Sequence, residues 1–335
     1  MRFDVILYSD LSHDEMLHLG TLAEEVGIGG VWVANNYNTR DAFVNFVPLA
    51  QQTNKIRMGP IAISPFELHP QKMAHSLLTL NEMAHGRAQI VVGGGGGTAG
   101  NIGAKPHRVI TAVRECVEIL NQAITGEPGT YKGDMYKIGW LDVNWLTQTP
   151  PMIYVGANGP QMLKAAARYA EGIMVSDFTS ERIRWAHDII DPVLTEVGGD
   201  PVHYPLSNFW AWHVQESREA AQREARIFLA VRGTVYPEYI GDVVSEAEAE
   251  IVNQHTNSFM KAYMKKSPDI EGIPDEILAK IVDNGTSASP LSEIDREVER
   301  MREFEAAGLT EIALCIYSNP AEAIQTIGEH LVNGA

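Results

Sequence analysis

The chain is poor in cysteine: Cys116 and Cys315 are the only two thiols in 335 residues, and they stand far apart. A disulfide framework or a zinc knuckle therefore has no support, and a reducing compartment fits best. Long apolar runs are missing too, since no stretch approaches the ~20 residues needed to cross a bilayer. The opening MRFDVILYSDLSHDE is broken by charged and polar groups, so it reads as neither a signal nor a transit peptide, and a cytoplasmic protein is expected. Positive charge is scarce: 26 Lys and Arg against 43 Asp and Glu leave a formal net charge of −17. Such a surface repels phosphate backbones and anionic lipid heads, which argues against nucleic acid and membrane partners. There is no His-x-x-x-His pair and no Gly-x-Ser-x-Gly elbow. A metal site around His69, His107, His203 or His213 and elbow-type hydrolase chemistry both lose their central motifs.

What is present has ordinary globular composition, 45% hydrophobic and 21% charged, enough to bury a sizeable core. Eight short apolar or β-branched runs, at 3–8, 30–34, 56–63, 87–92, 152–155, 172–175, 207–214 and 311–316, are separated mostly by segments of helical period. Ser12 with Glu15 forms a capping box for a first helix, and His69-Pro70 opens another that Gly86 stops. Alternating βα units predict an α/β fold. The expected form is a single (β/α)₈ TIM barrel over 1–335, with an open doubly wound sheet as the alternative. Two stretches exceed normal βα loops, at about 126–151 and at 233–290, and read as insertions. In a barrel, functional residues gather in the loops at the C-terminal ends of the strands.

The five glycines Gly93 to Gly97, followed by Thr98, directly succeed the fourth run. Without side chains they let the backbone approach a planar or anionic ligand closely; a flexible surface loop is the plain alternative. Gly95-x-Gly97-x-x-Gly100 also matches a dinucleotide pattern, but the run before it is the fourth rather than the first, and Gly103 and Pro106 are expected to interrupt a helix here. After the fifth run, Gly156-Ala157-Asn158-Gly159-Pro160 leads into a helix whose free N–H groups form an anion site or, more simply, a βα turn. Asn35, Asn36 and Tyr37 end the second run with groups that hydrogen-bond a ligand but are weak acids, and an Asn-rich turn explains them equally. Trp210 and Trp212 alternate on one strand and read as core.

Taken in order, Trp32…Asn35-Asn36-Tyr37, Gly59-Pro60…Pro65…His69-Pro70, Asn81-Glu82…Gly86-Arg87, the glycine run, and Gly156 through Lys164 resemble the F420-dependent branch of the luciferase-like superfamily, methylenetetrahydromethanopterin reductases among them. The likeness runs through roughly the first 180 residues and resumes at 304–309. It implies a barrel with an insertion, usually homodimeric, with coenzyme F420 across its mouth and hydride transfer to or from a small-molecule substrate. FMN with monooxygenase chemistry is the alternative, and a barrel that has lost catalysis is a third. The resemblance further implies that Ile61 and Ala62 back the deazaflavin ring through a non-proline cis peptide. Gly93, Gly95, Gly96, Gly97 and Thr98 would flank it, with Asn35 nearby, and Ala157, Asn158 and Gly159 would bind the phosphate. Asn36, Tyr37 and Asp177 are the candidate catalytic groups, with Asp10 a further acid. Relatives often carry an acid and His where this chain has Asn35 and Asn36, an acid where it has Gly96, and the reductase a Glu where it has Ile6.

Overall fold

A computed structural model describes residues 1–36 and 38–334; Tyr37 and Ala335 lie outside the described residues. Each of the eight runs becomes a strand: β1 (Arg2–Leu7), β2 (Gly30–Ala34), β3 (Arg57–Ile61), β4 (Gln89–Val92), then, after a hairpin of β5 (Gly129–Lys132) and β6 (Lys137–Leu141), β7 (Met152–Gly156), β8 (Gly172–Ser176), β9 (Leu206–Trp212) and β10 (Glu311–Ile316). The eight-stranded sheet runs β3, β2, β1, β10, β9, β8, β7, β4, with parallel pairing throughout. Its two end strands meet. Bridges pair Met58 with Ala88 and Ile63 with Val92, so β3 closes on β4 and the sheet becomes a barrel.

That seam is tight at one point: a Cβ on Gly59 would lie 1.6 Å from the Gln89 carbonyl oxygen. Only glycine lets the two backbones come so close. Beyond it, the Ile61–Ala62 peptide bond is cis, as the resemblance implies.

The helices are α1 (His13–Glu25), α2 (Val47–Gln52), α3 (Pro70–Met83), α4 (Gly96–Asn101), α5 (Val109–Ala123), α6 (Pro160–Tyr169), α7 (Ser180–Glu196), α8 (Arg218–Phe228), α9 (Glu246–Gln254), α10 (Thr256–Lys265), α11 (Asp275–Gly285), α12 (Ile294–Ala306) and α13 (Pro320–Ile327). The Ser12–Glu15 capping box is present. Strand alternation sorts the core: Val5 and Leu7 of β1 face the helices, whereas Ile6 joins Trp32, Ile61, Val91 and Met174 in a separate cluster. At the opposite end from the loops, Arg2 bridges Asp4 and Glu311, with Trp32 donating to Asp4 and Tyr154 to Glu311.

Both long stretches carry their own structure. The first holds the β5–β6 antiparallel hairpin. The second holds α9, α10 and α11, which with α8 bury a small core of their own around Val252, Phe259, Ile277 and Ile281. The glycine run departs from expectation. Gly95 takes a left-handed φ of 86°, and the residues after it wind into the short α4, which Gly103 follows. Tertiary contact overrides weak helix propensity here, because Ala99 is fully buried and the Thr98 hydroxyl donates to the Asn35 carbonyl at 3.4 Å. Among the described residues no helix is long and apolar enough to cross a membrane.

Candidate active site

The C-terminal ends of the strands carry two neighbouring cavities. The first, about 300 Å³, is lined by Ile61, Ala62, Gly156, Ala157, Asn158 and Ser176 among others. Ala62 is exposed at its wall, while Gly93 abuts it so closely that a Cβ there would come within 2.8 Å of the Ala62 Cβ. Gly95 is crowded by Ser64, whose Oγ would lie 2.5 Å from an added Cβ, but space over Gly96 and Gly159 is open. Gly159 caps α6 without a side-chain bond, and Pro160 opens that helix, so its first N–H groups are available to an anion. Of the residues expected at a cofactor, the structure thus brings Ile61, Ala62, Ala157 and Asn158 into one cavity, with Gly93 against Ala62 and Gly159 next in sequence. Gly96 and Gly97 sit in α4 with Thr98.

The amide of Asn158 is engaged within the protein. Its Oδ1 accepts from the Ser176 N–H at 2.9 Å and its Nδ2 donates to the Ser176 carbonyl at 3.4 Å. A ligand at this turn therefore meets backbone N–H groups and the remaining Nδ2–H of Asn158.

Asn35 and Asn36 are braced as well. The Asn35 amide donates to Glu67 at 2.8 Å, and its N–H donates to the Ile61 carbonyl at 3.0 Å. Burial pushes the Glu67 carboxyl up, so it keeps its proton to a higher pH than a surface glutamate. The exposed Asn36 donates to Ser9 Oγ at 3.2 Å.

Asp177 does not stand free as an acid. It is buried at a left-handed φ of 63°, and Arg232 donates to its Oδ1 at 2.9 Å through Nε and again through Nη2, while Oδ2 accepts from Gly233 N–H at 2.6 Å and the Ser176 hydroxyl at 3.1 Å. A carboxylate so paired is held as an acceptor, and its place in the molecule is to anchor the second insertion to β8. Arg232, held well above its ordinary value by Asp177 despite burial, also donates to Tyr317 at 3.0 Å and lies 4.4 Å over the Phe209 ring. Sequence reasoning missed Arg232 and Glu67; 55 residues separate Arg232 from Asp177, and no spacing rule links them.

The second cavity, about 870 Å³, opens on the far side of Arg232, between the ends of β1 and β10 and helices α8 and α10. Tyr8, Phe228, Tyr263 and Tyr317 wall it, and Glu224 lies among them. Both cavities sit where a barrel places its chemistry.

Fold and site together define a (β/α)₈-barrel enzyme with a glycine-walled pocket beside a helix N-terminus at its mouth. The chain belongs to the luciferase-like monooxygenase family, whose model matches residues 1–311. It is 26% identical over 99% of both chains to the 5,10-methylenetetrahydromethanopterin reductase of Archaeoglobus fulgidus. Among solved structures it resembles the coenzyme F420 dependent tetrahydromethanopterin reductase from Methanopyrus kandleri, with a TM-score of 0.84, 22% identity and 99% of both chains covered. An F420-dependent secondary alcohol dehydrogenase in complex with an F420–acetone adduct follows at a TM-score of 0.76 and 19% identity, covering 98% of this chain and 97% of that one.

Proposed function

We propose that this protein is an F420-dependent oxidoreductase that moves a hydride between the deazaflavin and a small organic substrate. The observation that carries this reading is the first cavity: an exposed Ala62 wall, a glycine packed against it, and open space above Gly159 at the start of α6. These features fit a flat ring with a phosphate tail. Ile61 and Ala62 would back the ring, Gly93 to Thr98 would flank it, and the N–H groups of Asn158, Gly159 and the first turn of α6 would hold the phosphate, with Ala157, whose own N–H is taken by the Met174 carbonyl, lining the turn. When bound, the deazaflavin supplies a carbon that gives or takes a hydride. The chain positions that ring at the strand ends, with Glu67, whose carboxyl burial pushes up, accepting from Asn35 beside the β3 exit. We further take the protein to work as a homodimer in the cytoplasm, the first of which sedimentation of the purified chain would test.

Titration with F420 and with FMN, followed by absorbance, tests the cofactor. Tighter binding of F420 is expected; submicromolar FMN binding without F420 binding would instead support the monooxygenase reading. Gly159→Leu sharpens the test. Nothing in the protein lies within 4 Å of a Cβ at this site and its φ of −88° suits any residue, so the variant should fold with unchanged stability. Its F420 affinity should fall by about 1–3 kcal/mol as charge-assisted bonds to the phosphate are lost. Unchanged affinity would move the phosphate elsewhere.

A further inference from the structure

The second cavity is larger than the first and is shaped by rings. Phe228 and Tyr317 lie 4.2 Å apart by centroid, Tyr8 meets Tyr317 edge-on at 5.9 Å, and His213 stacks beneath Tyr317 at 4.6 Å. Among these apolar walls stands one carboxylate with a defined pose. Glu224 Oε2 accepts from His213 Nδ1 at 2.7 Å and from Gln215 Nε2 at 3.2 Å, and Gln215 in turn donates to Ser318 at 2.9 Å. His213 is fully buried beneath it, its Nε2 has no hydrogen-bond partner, and the Glu224 side chain keeps 15% of its surface open. Burial lowers His213 toward its neutral form, which donates through one nitrogen; for Glu224 burial acts upward, but the donors around it outweigh that and lower it toward its ionised form. The exposed Arg223 and Lys266, opposed by Asp10, ring the opening.

We propose that this cavity is the substrate chamber and that Glu224, fixed by His213 and Gln215, orients a flat conjugated substrate by accepting a hydrogen bond from an N–H or O–H on its edge. The substrate class is then a planar ring compound that carries a donor edge for Glu224 and an anionic group for Arg223 and Lys266. Flatness is selected because the aromatic walls offer faces and edges to a ring. The donor is selected because His213 and Gln215 occupy only part of the acceptor capacity of Glu224, and a substrate without a donor desolvates the remaining lone pairs without pairing them; a site built on such a hydrogen bond rejects the analogue far more strongly than a hydrophobic wall does. Arg232 stands between the chamber and the first cavity, its guanidinium lying over Phe209 of the first and donating to Tyr317 of the chamber. His213 is a positioning residue, since it reaches the substrate only through Glu224.

The inference rests on the hydride-transfer reading, and calorimetry with two probes of matched size separates them. Indole-5-carboxylate carries a ring N–H; 2-naphthoate is a flat fused bicycle of similar size with the carboxylate and no N–H. The intact protein should bind the indole more tightly. Glu224→Gln, which keeps the volume, should weaken the indole about tenfold and leave the naphthoate within about twofold. Phe228→Leu should weaken both probes alike, which guards against a fold-wide effect of the first variant. Equal affinity for the two probes, equal loss on Glu224→Gln, or no binding of the indole at millimolar concentration would overturn the proposal. If the probes behave as expected while the protein binds no F420, the chamber stands and the hydride-transfer reading falls.

Discussion

Gly59→Ala should leave little folded barrel. The added methyl group would stand 1.6 Å from the Gln89 carbonyl oxygen, a backbone atom with no rotamer to move. Relief requires β3 and β4 to part, and those are the strands whose contact closes the sheet through only two bridges. A loss of at least about 4 kcal/mol is expected, in the range reserved for gross steric or packing defects. Urea unfolding or soluble yield measures it. Gly139→Ala is the matched control: nothing lies within 4 Å of its Cβ and it sits on the hairpin, so its unfolding midpoint should move by no more than about 0.5 kcal/mol. A folded, near-normal Gly59→Ala protein would show that the seam is looser than this packing.

The second large effect is at Arg232. Its guanidinium and the Asp177 carboxylate are both 2% exposed in their side chains, so Arg232→Ala strands a buried negative charge. Removing one partner of a buried ion pair typically costs about 3–5 kcal/mol, most of it the uncompensated charge rather than the lost contact. The second substitution distinguishes the two. Asp177→Asn on the Arg232→Ala background should recover part of the loss, because asparagine is neutral, still accepts from the Gly233 N–H, and tolerates the left-handed backbone of this position. No recovery would mean that the packing of Arg232 over Phe209, rather than its charge, holds the insertion in place.

The barrel was legible because its determinants are local. β-branched runs such as Val31 to Val33 or Ile90 to Val92 are buried along their length, as strands of a parallel sheet covered by helices must be, and their number matches an eight-stranded barrel. The capping box at Ser12 and the Pro70 helix start were readable for the same reason: a few adjacent side chains satisfy the first N–H groups. Where the decisive partner is remote, the sequence was silent. The Gly93 to Gly97 stretch has poor helix propensity, and only burial of Ala99 against the rest of the molecule makes part of it helical. The β5–β6 hairpin gives little strand signal because its strands are short and mostly exposed, and the residues β6 buries, Ile138 and Leu141, stand three apart rather than alternating. Asp177 reads as a candidate catalytic group at a strand end, while the Arg232 that pairs with it lies 55 residues on. The second cavity was invisible, since Tyr8, Glu224, Tyr263 and Tyr317 come from four separate segments that only the closed barrel assembles. Residues after one strand, such as Ala157 and Asn158, share a cavity wall because they are neighbours in sequence.

Asn158 has a wider reach than its neighbourhood suggests. The β7–β8 ladder ends with Gly156 opposite Met174 and the Ala157 N–H on the Met174 carbonyl, and the Asn158 amide then bonds both ways to Ser176 as though the strand had one more rung. Asn208 repeats the arrangement one strand on, accepting from the Phe178 N–H and donating to its carbonyl. Side chains here imitate backbone where backbone has turned away, so the exits of β7 and β8 are each tied to the strand that follows in the sheet. Such loops cannot drift independently, and a lineage that varies one of them must carry its neighbours along.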